Sequence, residues 1–598
     1  MGAHISLRIG FAAILGLGLG AGSGVLSTHA GVGGTSADKP SQLGSYLAGR
    51  LARGEHDTRA AALYYQQALS GDPESEVLVE QSFLMELTQG NWPRAEALAR
   101  ELVRQQPTHR TARALMGLID FKAGRYAAAD EHFQAASANP IGELTGILAR
   151  AWTAEAEGRT DAALALLEAP KLPEWAQYYL RYHKALLADE AGRRAEARAD
   201  YEKIPKTDLR TLRVTLAYAR HTAFTADPKQ ALNLLKAHIE KANGETNPVA
   251  KALQDDIEAG RRIDLLVTTP TEGLSEAFYG LGEALAAEGG IAVGAVYLQF
   301  ALYLTPTSPF ALAALANTYE ATKRYQDAID AYDRIPRGSP LQSSIDIRKA
   351  LNLNQLERVD EAKKLLEELA QQDPHDIRVF DALGGIMRAH KRYEEAVDYY
   401  SRAIALIDKP ESKHWTYYYA RGTSYERIKK WPLAEADLQK ALQLSTDQPL
   451  VLNYLGYSWI DQNRNLKQGL ALIEKAVRQK PEDGYIVDSL GWAHFRMGNF
   501  KEAAKNLERA VELRPEDPVL NDHLGDAYWR VGREREARFQ WDQALTLKPE
   551  PEDADKIRKK LQRGLQLPAQ MRQVKHTRDA QLPAKPRMTK SQANPFLQ

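Results

Sequence analysis

Residues Gly491–Gly525 read GWAHFRMGNFKEAAKNLERAVELRPEDPVLNDHLG, so that glycines separated by 34 residues open and close the stretch. Two more glycines, Gly422 and Gly456, precede it at intervals of 34 and 35 residues. After each glycine, a small residue, a large apolar residue and another small residue follow in the same order. These positions are Ala434, Leu438 and Ala441; Gly469, Ile473 and Ala476; Ala503, Leu507 and Ala510; and Ala537, Trp541 and Ala544. Small residues let two helix backbones approach, and the large residue fills the space beside them on the same helical face.

This period and pattern resemble the tetratricopeptide repeat (TPR), a helix-turn-helix unit of 34 residues. Prolines at the ends of successive units, Pro481, Pro515 and Pro549, stop each second helix. The resemblance extends over about residues 44–550. It implies an all-α superhelical solenoid of about fourteen repeats, in which the recurring glycines are structural.

Differences in the strength of the pattern predict the organisation of the chain. The pattern is degenerate in residues 44–245 and strong in residues 273–550, and Asn247-Pro248 and Thr268-Thr269-Pro270 interrupt the period between them. Residues 246–272 are therefore predicted to be a joint between two arrays. Apolar positions at Ile557, Leu561 and Leu565 predict a capping helix in residues 551–565. Residues 566–598, with six Lys or Arg and one Asp, are predicted to be a disordered basic tail.

The N-terminus carries a targeting signal. Arg8 precedes an apolar stretch from Ile9 to Leu26, and Thr28-His29-Ala30 fits the small-x-small rule for cleavage. Residues 1–30 are therefore predicted to be a cleaved signal peptide or an uncleaved membrane anchor, followed by a linker in residues 31–43. Because Arg8 would stay on the cytoplasmic side, the expected location is the periplasm, either released or anchored in the inner membrane.

Composition and motifs exclude several classes of function. Lys plus Arg and Asp plus Glu number 78 each, so the chain has no bulk attraction to nucleic acid or membrane. Without any cysteine it has no disulfide, thiolate metal ligand or lipidated cysteine. No phosphate loop, His-Glu-x-x-His or Gly-x-Ser-x-Gly motif is present. We therefore predict no enzyme and no catalytic, cofactor or metal site. The expected partners are proteins, with membrane contact only through an N-terminal anchor, and the oligomeric state is left open.

In TPR proteins the first helices of successive repeats line the concave face, and this resemblance gives the predicted partner-binding residues. They combine aromatic rings with Arg, Asp and Asn, which suits a peptide groove. The alternative is that the charges are solvated and the rings pack against neighbouring repeats. The predicted residues are Tyr419, Arg427, Asn453, Tyr457, Asp488, Trp492, Arg496, Asp522, Asp526, Trp529 and Arg530.

The C-terminal repeats resemble one bacterial subgroup more closely. Leu452-Asn-Tyr-Leu-Gly-Tyr457, Asp488-Ser-Leu-Gly-Trp492 and His523-Leu-Gly-Asp526 are similar to strings of envelope TPR adaptors. One type binds a carboxyl-terminal-processing protease and its cell-wall hydrolase substrates. The resemblance implies a non-enzymatic periplasmic scaffold that recruits partner proteins. The alternative is a structural assembly factor of an envelope secretion, pilus or polysaccharide export machine.

Overall fold

The computed structural model describes residues 41–565 except 138, 169–171, 205–210 and 242–246. The predicted signal peptide or anchor (1–30) and basic tail (566–598) lie outside the described residues, as does nearly all of the predicted linker. The chain divides into two compact units, Met1–Gln372 and Asp373–Gln598. Every regular element in the described ranges is a helix, and none of these helices has the length and apolar character needed to cross a bilayer.

Within the described residues, the first unit contains nineteen α-helices. They are α1 (Gln42–Gly54), α2 (Thr58–Gly71), α3 (Glu76–Thr88), α4 (Trp92–Gln105), α5 (Arg110–Lys122), α6 (Tyr126–Ala135), α7 (Asn139–Ala156), α8 (Thr160–Glu168), α9 (Glu174–Glu190), α10 (Arg194–Lys203), α11 (Leu212–Phe224), α12 (Pro228–Lys241), α13 (Pro248–Glu258), α14 (Pro270–Ala287), α15 (Ile291–Leu304), α16 (Pro309–Ala321), α17 (Tyr325–Asp333), α18 (Gln342–Gln355) and α19 (Val359–Gln372).

In the described part of the second unit there are eleven α-helices and one short 3-10 helix, Ser412–His414. The α-helices are α20 (Ile377–Ala389), α21 (Tyr393–Ala405), α22 (Trp415–Arg427), α23 (Trp431–Leu444), α24 (Pro449–Asp461), α25 (Leu466–Gln479), α26 (Gly484–Arg496), α27 (Phe500–Leu513), α28 (Pro518–Arg530), α29 (Glu534–Thr546) and α30 (Pro551–Arg563).

Consecutive helices pack as hairpins in both units. Fourteen hairpins lie in the described residues, α1–α2 to α11–α12 and α14–α15 to α28–α29, while α13 and α30 are single helices. The predicted all-α fold and repeat number are therefore confirmed. The division into compact units falls inside residues 273–550, so it does not coincide with the change in pattern strength at 246–272. The predicted joint stays a prediction.

The recurring glycines lie where two helices of one hairpin touch. A Cβ added to Gly491 would be 2.6 Å from Cγ of Leu507, and one added to Gly525 would be 2.5 Å from the Trp541 ring. Such distances are well inside van der Waals contact, so any side chain there would displace its neighbour. The structural role predicted for the glycines is confirmed.

A backbone turn of fixed position ends the first helix of each C-terminal hairpin. Seven residues after each recurring glycine, the chain adopts a positive φ at Lys429, Asn463, Gly498 and Gly532. Glycine accepts this conformation without steric cost and asparagine tolerates it, whereas lysine does not favour it. The register of the hairpin is thus held by packing even where the turn residue is unfavourable.

The inner face of the first unit is filled by part of the unit itself. Helix α14 packs against α7 and α9, and α15 packs against α3 and α5, which are first helices of earlier hairpins. Gly273 on α14 packs so closely on the buried Trp152 ring of α7 that no Cβ would fit. Gln299 on α15 donates a hydrogen bond of 2.9 Å to the carbonyl oxygen of Thr88. These first-helix faces are therefore core surfaces.

A buried ion pair holds α14 in this position. The guanidinium of Arg213 on α11 donates two hydrogen bonds, of 3.0 and 2.5 Å, to the carboxylate of Glu276 on α14. The hydroxyl of Tyr182 on α9 donates a third, of 3.0 Å, to the same carboxylate. Burial would raise the pKa of Glu276, but Arg213 outweighs this effect and holds that pKa below its ordinary value. Helix α14 is therefore linked to two earlier hairpins by one charged group.

Candidate protein-binding site

First helices of the second unit carry the predicted partner-binding residues. Helix α26 contacts α24 on one side and α28 on the other, so these three helices form a continuous face. The predicted residues recur at equivalent positions on α22, α24, α26 and α28. On α3, α5, α7 and α9 of the first unit the corresponding face is occupied by α14 and α15, so we place the candidate site on the second unit.

A stack of parallel rings marks the centre of this face. The ring of Trp492 lies 4.8 Å from that of Phe495 at 8° and 4.0 Å from that of His523 at 14°. Trp492 and Phe495 are partly exposed, whereas His523 is buried. Stacked rings hold each other in one orientation, and the exposed parts of Trp492 and Phe495 remain accessible to a partner.

Charged groups around the stack are paired between neighbouring first helices. The Nδ1 atom of His523 lies 2.9 and 3.1 Å from the two carboxylate oxygens of Asp488. The guanidinium of Arg496 donates to the Asp461 carboxylate at 3.0 Å and to its carbonyl oxygen at 2.9 Å. In each pair the residues are separated by 35 positions, which is one repeat. These pairs fix the spacing of α24, α26 and α28.

On α22 and α24 the predicted residues lie beside a second aromatic pair. The ring of Tyr419 lies 5.9 Å from that of Tyr454 in an edge-to-face arrangement. Arg427 is exposed, with its Nε 3.7 Å from the Glu426 carboxylate. The other two, Asn453 and Tyr457, are partly buried, and burial raises the pKa of the Tyr457 hydroxyl. This hydroxyl therefore stays protonated and available as a donor.

On α28 the predicted residues contact the chain's own last helix. The Lys560 ammonium on α30 donates hydrogen bonds of 2.8 Å to both carboxylate oxygens of Asp522 and to one of Asp526. Gly564, which follows α30, packs on the Trp529 ring with no room for a Cβ. These three predicted residues therefore have intramolecular partners, and contact with another protein stays a prediction.

Two predicted residues of α28, Asp526 and Arg530, also contact aromatic side chains of the same unit. The buried indole of Trp541 donates a hydrogen bond of 3.0 Å to Asp526. Burial raises the pKa of Asp526 to about 6, although the Lys560 ammonium acts in the opposite direction. The guanidinium of Arg530 lies 5.9 Å from the centre of the Phe500 ring. The α28 end of the face is thus occupied by internal contacts.

The sequence-based prediction missed His523 and Lys560. Both carry a detectable signal, because His523 follows Asp488 by 35 residues and Lys560 follows Asp526 by 34. A charged residue one period after an opposite charge falls on the next first helix, close enough to pair. No group of three or more His, Asp or Glu residues in the described part of the chain is arranged to hold a metal ion.

The His523–Asp488 pair makes the stability of the second unit depend on pH. Burial would lower the pKa of His523, but the Asp488 carboxylate outweighs burial, with smaller contributions from Asp522 and Asp526, and the pKa lies above its ordinary 6.5. Stabilisation by the charged imidazole is therefore fully present below pH 6.5 and is lost as pH rises through the folded-state pKa. Urea unfolding of the second unit, repeated between pH 6 and pH 9, should show this decrease.

Asp488→Asn supplies the control for the pH measurement. With the carboxylate removed, burial dominates and the pKa of His523 should fall below 6.5, as the imidazole Hε1 shift in an NMR titration would show. An unchanged His523 pKa in this variant would contradict the pairing.

Family models match three separate segments of the chain. The family described as "Psidin, N-terminal TPR repeats region" matches residues 313–441, and "Tetratricopeptide repeat" matches residues 85–142 and 489–554. The last segment includes the second half of α26, all of α28 and the ring stack. The chain therefore contains tetratricopeptide repeats in both compact units.

Several known proteins are similar to this chain. A TPR repeat-containing protein of Pseudomonas aeruginosa is 26% identical over 201 residues, and the match covers 32% of each chain. The chain thus spans about a third of the length of that relative. Among solved structures, the APC/C hetero-tetramer Cut9–Hcn1 has a TM-score of 0.37 and 14% identity, covering 88% of this chain and 96% of that one. Yeast Tom70 has a TM-score of 0.34 and 14% identity, covering 90% and 99%.

Proposed function

We propose that this chain is a non-catalytic scaffold that binds a partner protein on the first-helix face of its second unit. The observation that carries the proposal is the ring stack of Trp492, Phe495 and His523. Tryptophan is among the residues most enriched in binding hot spots, and a ring held by its neighbours loses little freedom when a partner binds.

The surroundings of the stack support a binding role over a catalytic one. The acids nearest to it, Asp488 and Asp461, are paired with His523 and Arg496. Paired groups of this kind fix the register of a bound partner and exclude wrong partners. In the first unit, the inner faces of α3, α5, α7 and α9 are covered by α14 and α15. The first-helix face of the second unit is therefore the stronger candidate.

The proposal extends to location and type of partner. From the N-terminal sequence, the scaffold is exported to the periplasm and is either released or anchored in the inner membrane. From the resemblance of the C-terminal repeats to envelope adaptors, the partners are a protease and its cell-wall substrate. A scaffold that holds both raises their local concentration and needs no catalytic group of its own.

A pull-down from the cell envelope with wild type and Trp492→Ala tests the proposal. Removing a hot-spot tryptophan costs about 2 kcal/mol or more, which is about a 30-fold loss of affinity. We expect the variant to lose the partner that wild type captures. Trp175→Ala is the matched control, because Trp175 is 44% exposed and lies in the first unit. Circular dichroism should show that both variants are folded.

Equal capture by wild type and Trp492→Ala would contradict a binding role for the stack. If a partner is captured, its identity tests the proposal that this chain is a protease adaptor. An adaptor should shorten the half-life of a protease substrate. A change in the size of an envelope complex, with substrate half-lives unchanged, would instead indicate an assembly factor.

A further inference from the structure

We infer that the second unit carries another docking surface, between the second helices α23 and α25, which binds an uncharged apolar segment of a partner protein. A groove of about 490 Å³ lies there. Its floor is apolar, consisting of Leu442 on α23, Leu455 and Trp459 on α24, and Leu472 on α25.

The groove is separate from the first-helix face that carries the ring stack. Leu455 and Trp459 are four residues apart and share one side of α24. The predicted partner-binding residues of α24, Asn453 and Tyr457, are each two residues away, which is a rotation of about 200°. One helix thus separates the two surfaces, and a partner on one does not cover the other.

Loose packing between two adjacent hairpins leaves the groove open. Helix α23 packs against α24 less extensively than α21 packs against α22, α25 against α26, or α27 against α28. The indole of Trp459 donates a hydrogen bond of 2.7 Å to the Glu435 carboxylate, which holds this floor side chain in one orientation. The largest side chain of the groove floor therefore has a defined orientation.

The lining indicates the chemistry of the occupant. The rim consists of Gln439, Gln443, Thr446 and Gln468, so no lining residue is charged, although charged residues make up 26% of the chain. A charged partner group would lose hydration here, and no residue of the lining itself would offer it an opposite charge. Amide side chains both donate and accept hydrogen bonds, as the backbone of a bound segment requires. A bound segment that places its apolar side chains on the floor and its backbone along the rim would match both the apolar groups and the amide groups of the groove.

An array of acetylated and amidated 12-residue peptides, divided into uncharged, basic and acidic sets, tests this inference with the whole chain. We expect wild type to bind uncharged apolar peptides preferentially. Gln443→Glu with Gln468→Glu should weaken this binding at least about tenfold, because two carboxylates would enter the groove. The control is Gln462→Glu with Gln479→Glu, which makes the same change at exposed positions outside the groove and should have no effect.

Trp492→Ala separates this surface from the first-helix face. Binding to the groove should be unchanged in that variant, so failure here is distinguishable from failure of the proposed function. Preference for charged peptides, absence of binding by wild type, or binding that survives the groove substitutions would each overturn the inference. Loss of binding in Trp492→Ala alone would assign the peptides to the ring stack and overturn it as well.

Discussion

Glu276→Ala should lower the free energy of unfolding by about 3–5 kcal/mol, because it leaves the Arg213 guanidinium buried without its partner. The change also removes the acceptor for the Tyr182 hydroxyl. Since Glu276 links α14 to α9 and α11, the loss of stability should be concentrated in the part of the first unit around α14. Urea unfolding would measure the total loss of stability. Hydrogen–deuterium exchange should show that the increase in exchange rate relative to wild type is larger in α14 and α15 than in the second unit.

The double variant Arg213→Met with Glu276→Leu provides the control. Replacing both charges by apolar residues of similar size removes the unpaired ion, so most of the lost stability should return. If the double variant were as unstable as Glu276→Ala, the effect would come from packing. A loss below about 1 kcal/mol for Glu276→Ala would show that α14 is held mainly by its apolar contacts.

Trp541→Ala should lower the free energy of unfolding by about 3–5 kcal/mol, through lost burial and the cavity left behind. The indole is fully buried, fills the space beside Gly525 and donates a hydrogen bond to Asp526. Its loss should therefore also loosen Lys560 and α30. Urea unfolding gives the magnitude, and hydrogen exchange of α28 to α30 gives the location.

The exposed Trp175 supplies the comparison for this measurement. Trp175→Ala removes the same side chain from a surface site and should change stability by less than about 0.5 kcal/mol. If both variants lost similar amounts, the effect of Trp541→Ala could not be assigned to the core of the last hairpin. A normal exchange rate in α30 would show that its attachment does not depend on Trp541.

The fold could be predicted where contacts are local and periodic. Gly491 and Leu507 lie within one hairpin, and their spacing repeats along the chain. The placement of α14 could not be predicted, because Gly273 and Glu276 meet Trp152 and Arg213, which belong to other hairpins. In sequence, Gly273 and Glu276 resemble an ordinary small residue and an ordinary surface charge of a first helix.

The sequence predicts which helices carry the candidate residues, but it does not predict how their charges pair. Trp492 and Asp488 were located from the repeat register, and the structure places both beside His523. Which charges would be neutralised depended on the side chains one repeat further on. Lys560 follows Asp526 by one period, but it lies in α30, beyond the last complete hairpin, and the glycine and alanine pattern that defines the register does not continue there.

The filled inner face of the first unit has a consequence for sequence variation. An inward residue of α3, α5, α7 or α9 faces α14 or α15, so a substitution there must be matched by a change in the facing residue. Trp152 and Gly273, for example, are in contact although they lie more than a hundred positions apart in the sequence. On the first-helix face of the second unit, partly exposed residues such as Tyr457 and Phe495 are free of that demand. In a deep mutational scan for folding alone, inward positions of the first unit should tolerate few substitutions. The equivalent partly exposed positions of the second unit should tolerate many.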